Sequence, residues 1–153
     1  MKINFKVIIL CLVIVYSVAF VGSIFTSGNT GSQWYLENKP SITPPNFIFP
    51  IVWNILFFMI ALSLYFVWIK SDKKQKKKVA LVFGANLFLN VLWSFLFFTL
   101  QKPLFAFFEL LLLLATIVLM IYVTWKINRK ASYLLVPYFL WVCFAGVLNW
   151  LWI

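Results

Sequence analysis

Asn86, Asn90 and Ser94 recur every four residues inside an otherwise apolar run, with Trp93 beside them. On a helix that spacing places all three on one stripe. Two readings are open. The amides and the hydroxyl could bond to neighbouring helices and hold a bundle together, or they could line a cavity and orient a ligand. Aromatic side chains offer a second resource. Trp53, Phe57, Ala61, Leu64 and Trp68 share one helical face, and Tyr138, Trp141, Ala145, Leu148 or Asn149, and Trp152 share another. Aromatic walls with a few amides suit a flat, largely apolar ligand held by stacking. Trp68, Trp125, Trp150 and Trp152 fall at the ends of apolar runs, where interfacial belts account for them. Glu109 is the one acid well inside an apolar run. A carboxyl there is expected to be neutral or paired, and structural hydrogen bonding is its simplest role.

Other chemistries are excluded by what is missing. The chain has no histidine, so His-based zinc sites, Ser-His-Asp catalysis and His-ligated haem are ruled out. There is no Gly-rich phosphate loop, no CxxC and no carboxylate pair, and neither a metal nor a cofactor is expected. Cys11 and Cys143 lie within apolar runs and read as small packing residues, not as a disulfide.

The elements that must position these residues follow from hydropathy. Of the 153 residues 65% are hydrophobic and 10% charged, with a mean hydropathy of +1.02. No soluble domain of this size covers that much apolar surface, which makes the chain an integral membrane protein. A hydrocarbon core of roughly 30 Å needs about 20 apolar residues per helix. Five stretches qualify, near 5–26, 47–69, 79–100, 103–126 and 133–153, joined by 27–46, 70–78, 101–102 and 127–132. The expected fold is one all-α domain over 1–153, a bundle of five transmembrane helices. The first run, VIILCLVIVYSVAFVGS after Lys2 and Lys6, resembles a signal peptide, but it exceeds a usual apolar core of about 7–15 residues and no A-x-A site follows. It is read as a retained helix.

Charge sets the expected orientation. Lys2, Lys6, Lys70, Lys73, Lys74, Lys76, Lys77, Lys78, Lys126, Arg129 and Lys130 fall on one side if all five runs span, leaving Lys39 and Lys102 on the other. The positive-inside rule puts the N-terminus in the cytoplasm and 27–46 outside. The net charge of +10 is therefore loop charge and not a nucleic-acid surface. The run KSDKKQKKK reads as a topology anchor that is compatible with lipid contact. On this topology Trp53 lies near the outer face and Trp141 toward the inner one. Pro103 suits the first turn of the fourth helix, and Pro137 is expected to kink the start of the fifth.

Several motifs in order carry a resemblance. Trp34-Tyr35, Lys39-Pro40, Pro44-Pro45 and Val52-Trp53, the block NLFLNVLWSFLFF, and the run VPYFLWVCFAGVLNW resemble the TspO/MBR family of tryptophan-rich sensory proteins and mitochondrial translocator proteins. The resemblance spans about Trp34 to Trp152. It implies a pocket beneath the first long loop that binds porphyrins such as protoporphyrin IX, with synthetic isoquinolines and benzodiazepines as further ligands. The binding residues carried over are Trp34, Tyr35, Trp53, Phe57, Asn90, Ser94, Trp141 and Ala145. The family pocket opens toward the loop, which implies that Trp141 approaches that side. The resemblance also implies a homodimer, in a bacterial plasma membrane or, alternatively, a mitochondrial outer membrane. The implied role is a receptor or regulator, with porphyrin transport or light- and oxygen-dependent porphyrin degradation as alternatives. Only the last would make Trp53 and Trp141 reactive groups, and no acid–base pair supports ordinary turnover. This chain departs from the family in having three residues between Trp34-Tyr35 and Lys39-Pro40, and Phe57 where many members have Tyr. Its end, VLNWLWI, lacks the Tyr-then-basic cholesterol motif of animal members.

Overall fold

Apolar runs of this length can satisfy their backbone in hydrocarbon only as helices, and the computed structural model, which describes residues 3–153, forms them. Helix α1 spans Phe5–Ser27, α2 Gln33–Asn38, α3 Ile48–Lys70, α4 Lys73–Ser94, α5 Pro103–Ile127, α6 Arg129–Tyr133 and α7 Val136–Trp150. A π-helical turn, Phe95–Thr99, prolongs α4. Five of the resulting units are long and apolar enough to cross a membrane, with α6 and α7 together forming the fifth. Large apolar side chains such as Phe20, Leu81, Phe88 and Leu112 face outward on all sides. That surface is a lipid-facing one, and the chain is a multi-pass membrane protein. Lys2, part of the charge asymmetry, lies outside the described residues.

Three boundaries differ from the expected ones. The 70–78 connection shrinks to Ser71 and Asp72, because the lysine run is helical. Asp72 accepts a hydrogen bond from the Gln75 amide, while the Gln75 side chain accepts one from the Asp72 amide. This capping box starts a helix of Lys and Gln, which are good helix formers. Hydropathy stops at the first charge, but the helix does not. The 127–132 connection likewise reduces to Asn128, whose side chain caps α6. Pro137 then breaks the fifth span instead of bending it. Leu134 and Leu135 leave the helix and Pro137 sits in the first turn of α7, where its missing N–H costs nothing. Finally, the 27–46 loop contains α2, begun by Ser32, whose hydroxyl accepts from the Tyr35 amide at 3.3 Å. Pro103 opens α5 as expected. The link before it is tight enough to hold Gln101 at φ 51°, a left-handed conformation that side chains rarely adopt.

The helices close a ring in which α1 contacts α3 and α4, α4 contacts α5, α5 contacts α7, and α3 completes the circuit through α6 and α7. The two ends of this ring are packed differently. Toward the basic end, Ile60, Val67, Val79, Ile117, Met120, Ala131 and Leu135 are fully buried, and Ser63 donates to the Ala131 carbonyl at 2.7 Å. This half is solid. Toward the loop end the helices surround a cavity. Cys11 and Cys143 are free thiols, as expected of packing residues.

Candidate functional site: a tryptophan-walled cavity at the loop end

Each transmembrane unit contributes a wall. The cavity holds about 680 Å³, within the roughly 300–1,000 Å³ of small-molecule sites. Tyr16, Phe20, Ser23 and Thr26 line it from α1, Tyr35 from α2, and Phe49, Trp53 and Phe57 from α3. Asn90, Trp93 and Ser94 face it from α4, Leu110 and Leu113 from α5, and Trp141, Val142 and Ala145 from α7.

Helical spacing builds the aromatic wall. Trp53 and Phe57 are one turn apart on α3 and stack at 5.3 Å with an interplanar angle of 29°. Trp53 also meets Tyr138 edge-on at 6.1 Å, which fixes its ring against α7. Trp141 lies edge-on to Phe49 at 5.9 Å. Phe49 belongs to the first turn of α3, so Trp141 reaches the loop half of the bundle. Trp141 thus lies nearer the loop side than the charge-based topology predicts, which put it toward the inner face. The fifth span starts at Arg129 and not at 133, which moves Trp141 to mid-span, and its ring then reaches Phe49.

The polar stripe on α4 divides by depth. Asn86, fully buried, does not reach the cavity. Its amide donates to Thr116 Oγ1 at 2.9 Å and its carbonyl accepts from the Tyr138 hydroxyl at 3.1 Å. Asn90 donates to that same hydroxyl at 3.2 Å and also lines the cavity. Ser94, one turn further, is cavity wall alone. The stripe therefore joins helices at Asn86, does so and lines the cavity at Asn90, and lines the cavity at Ser94. Trp93 donates to Asn149 Oδ1 at 3.0 Å, and Asn149 donates to the Pro103 carbonyl at 2.8 Å, tying α4, α7 and α5 together beside the cavity.

Two candidates depart from expectation. Trp34 does not line the cavity. Successive residues on a helix point about 100° apart, so Tyr35 reaches the cavity wall while Trp34 lies against Phe97 at 5.8 Å, with both rings also packed on Trp152, at 5.5 and 4.6 Å. Tyr35 is buried, and burial raises its phenol above the ordinary value. Glu109 is buried, yet neither carboxyl oxygen has a hydrogen-bond partner. The expected structural hydrogen bond is not formed.

One wall was not foreseen from the sequence. Tyr16, Phe20 and Ser23 on α1, and Pro50 and Asn54 on α3, line the cavity and also face outward. The cavity therefore opens sideways between α1 and α3. The Tyr16 hydroxyl donates to the Asn54 carbonyl at 3.1 Å across this opening. Hydroxyl side chains at 16 and 23, two turns apart in an oily helix, were the available signal.

An unpartnered donor completes the site. The Trp141 indole N–H is buried without an acceptor, in a cavity whose other surfaces are mainly apolar. Unmade hydrogen bonds of this kind are costly, and an acceptor on a ligand would satisfy it. Among the described residues no cluster of His, Cys, Asp or Glu could hold a metal ion.

Comparison with known proteins agrees with this architecture. The family model of the TspO/MBR family matches residues 9–152. The tryptophan-rich protein TspO of Chlorobaculum tepidum is 41% identical, over 92% of this chain and 89% of its own length. That of Archaeoglobus fulgidus is 35% identical, over 95% and 94%. The human translocator protein is 31% identical, over 86% and 79%. With five apolar spans, tryptophan motifs on three of them and a match across nearly its whole length, this chain belongs to the TspO/MBR family.

Proposed function

We propose that the protein is a membrane receptor or regulator that binds a porphyrin, such as protoporphyrin IX, in the loop-end cavity. The observation that carries this reading is that Trp53 on α3 and Trp141 on α7 line adjoining walls of one cavity of about 680 Å³, with the Trp141 N–H unpartnered. A flat macrocycle would stack on the Trp53–Phe57 surface. An acceptor on its rim would receive the Trp141 proton, and Asn90 and Ser94 would orient its edge. Tyr35 and Ala145 complete the contact set. With no histidine in the chain, metal-free porphyrin suits the site better than axially ligated haem.

The packing favours reception over passage. Fully buried apolar side chains fill the bundle between the cavity and the basic end, whereas alternating-access transporters place their site between two halves that move against each other. We place the protein in a bacterial plasma membrane, as a homodimer, with the basic end cytoplasmic. The test is the porphyrin absorbance band on addition of protoporphyrin IX to nanodiscs with and without the protein. A red-shifted, saturable band only with protein supports binding. Identical spectra reject it.

A further inference from the structure

A separate concavity lies at the basic end. It encloses about 520 Å³ between Lys70 at the end of α3, Trp125 and Lys126 at the end of α5, and Asn128, Arg129 and Lys130 at the α5–α6 corner. No acid lines it. Glu37 and Glu109 belong to other parts of the bundle, and the Asp72 carboxylate caps α4. The Lys126 ammonium turns to the Tyr122 hydroxyl, which leaves Lys70, Arg129 and Lys130 as the charges of a hollow that supplies no counter-charge.

The hollow is held rigidly. Asn128 is buried; its amide donates to the Phe66 carbonyl on α3 and its carbonyl accepts from the Lys130 amide, both at 3.1 Å. This fixes the corner against α3. The Arg129 guanidinium lies over the Trp125 ring at 5.1 Å, and Trp125 meets Tyr133 edge-on at 5.5 Å. One rim is thus cationic. The other is an interfacial tryptophan that continues into the outward apolar surface of α5, through Tyr122, Leu119 and Val118. A free phosphate would use only the first rim, whereas a phospholipid uses both. The lysines at 74 and 77 differ, because they stand exposed on the first turns of α4 and do not line the hollow.

We propose that this hollow binds the headgroup of an anionic phospholipid, its phosphate held by Lys70, Arg129 and Lys130 and its chains descending along α5. Basic pockets between helices at a membrane's charged face take such headgroups, and arginine favours phosphate.

The test uses the full chain in vesicles of phosphatidylcholine containing phosphatidylglycerol, with bromine on the acyl chains of one lipid or the other. Bromine on both leaflets makes the result independent of orientation. The signal is the Trp125 component of quenching, wild type minus Trp125→Phe. Brominated phosphatidylglycerol is expected to quench more than its mole fraction predicts. Lys70→Gln/Lys130→Gln leaves the Arg129–Trp125 contact intact and should reduce that preference by about fivefold per charge removed. Lys74→Gln/Lys77→Gln removes equal charge from the same end and should leave it intact. Inorganic phosphate added at about tenfold excess over lipid headgroup should not displace the quencher. Equal quenching by the two lipids, equal loss in the two double variants, or displacement by inorganic phosphate would each overturn the proposal.

Discussion

The Asn90 side chain donates to the Tyr138 hydroxyl across 3.2 Å, so one residue both faces the cavity and fastens α4 to α7. Tyr138 passes the chain on to Asn86 at 3.1 Å. Tyr138→Phe keeps the ring that supports Trp53 but leaves Asn86 Oδ1 and Asn90 Nδ2 without it. Hydrogen bonds between membrane helices contribute about 0.6–2 kcal/mol each. The variant should therefore lose about 1–4 kcal/mol in a denaturant titration in mixed micelles, while keeping its helical circular dichroism. An unchanged midpoint would mean that the chain of bonds is not structural.

Glu109 has the opposite sign. Its two oxygens are buried and unpartnered, and a buried polar group without a partner costs about 1–3 kcal/mol. Glu109→Met fills a similar volume without the polar atoms, so the thermal midpoint should rise. A fall would show that the carboxyl is bonded in the working protein.

Trp141 separates polar from apolar contributions to binding. Trp141→Phe retains an aromatic wall and deletes the free N–H. Affinity for protoporphyrin IX should fall by about fivefold, the equivalent of one hydrogen bond. Affinity for a porphyrin bearing only alkyl substituents should be unchanged. Equal losses for both ligands would assign Trp141 a purely steric part.

Asp72 fixes where α4 starts. Removing an N-cap costs about 0.5–2 kcal/mol, so Asp72→Ala should speed amide hydrogen exchange over the lysine run at 73–78 and leave the cavity half unaffected. Exchange that is already fast in the wild type would argue against a helical lysine run.

Much of this architecture was legible in the residues. The five spans follow from hydropathy, and the spacing of Trp53 with Phe57 and of Asn90 with Ser94 puts each pair on one face. What escaped reading depended on contacts between helices. No periodicity separates Asn86 as structural from Asn90 as cavity wall, because that depends on how deep Tyr138 and Thr116 sit opposite them. The α1 wall was hidden because Tyr16, Phe20 and Ser23 look like ordinary lipid-facing residues until α3 is placed beside them. Trp34 and Tyr35 could not be told apart because adjacent residues on α2 point in different directions, and only the helix, which hydropathy does not detect in a polar loop, shows which one reaches the cavity wall. The position of Trp141 along the bilayer depended on where the fifth span starts, and the charged residues at 129 and 130 concealed that start.

The most direct test is a titration of protoporphyrin IX into purified wild type, Trp53→Ala and Trp141→Ala, read by quenching of intrinsic tryptophan fluorescence. A tryptophan-walled porphyrin pocket predicts saturable quenching of the wild type at micromolar concentrations and a binding curve shifted by tenfold or more in each folded variant, as expected when about 1.4 kcal/mol or more of stacking contact is removed. Superimposable curves for all three proteins, or quenching that rises without saturation, would contradict it.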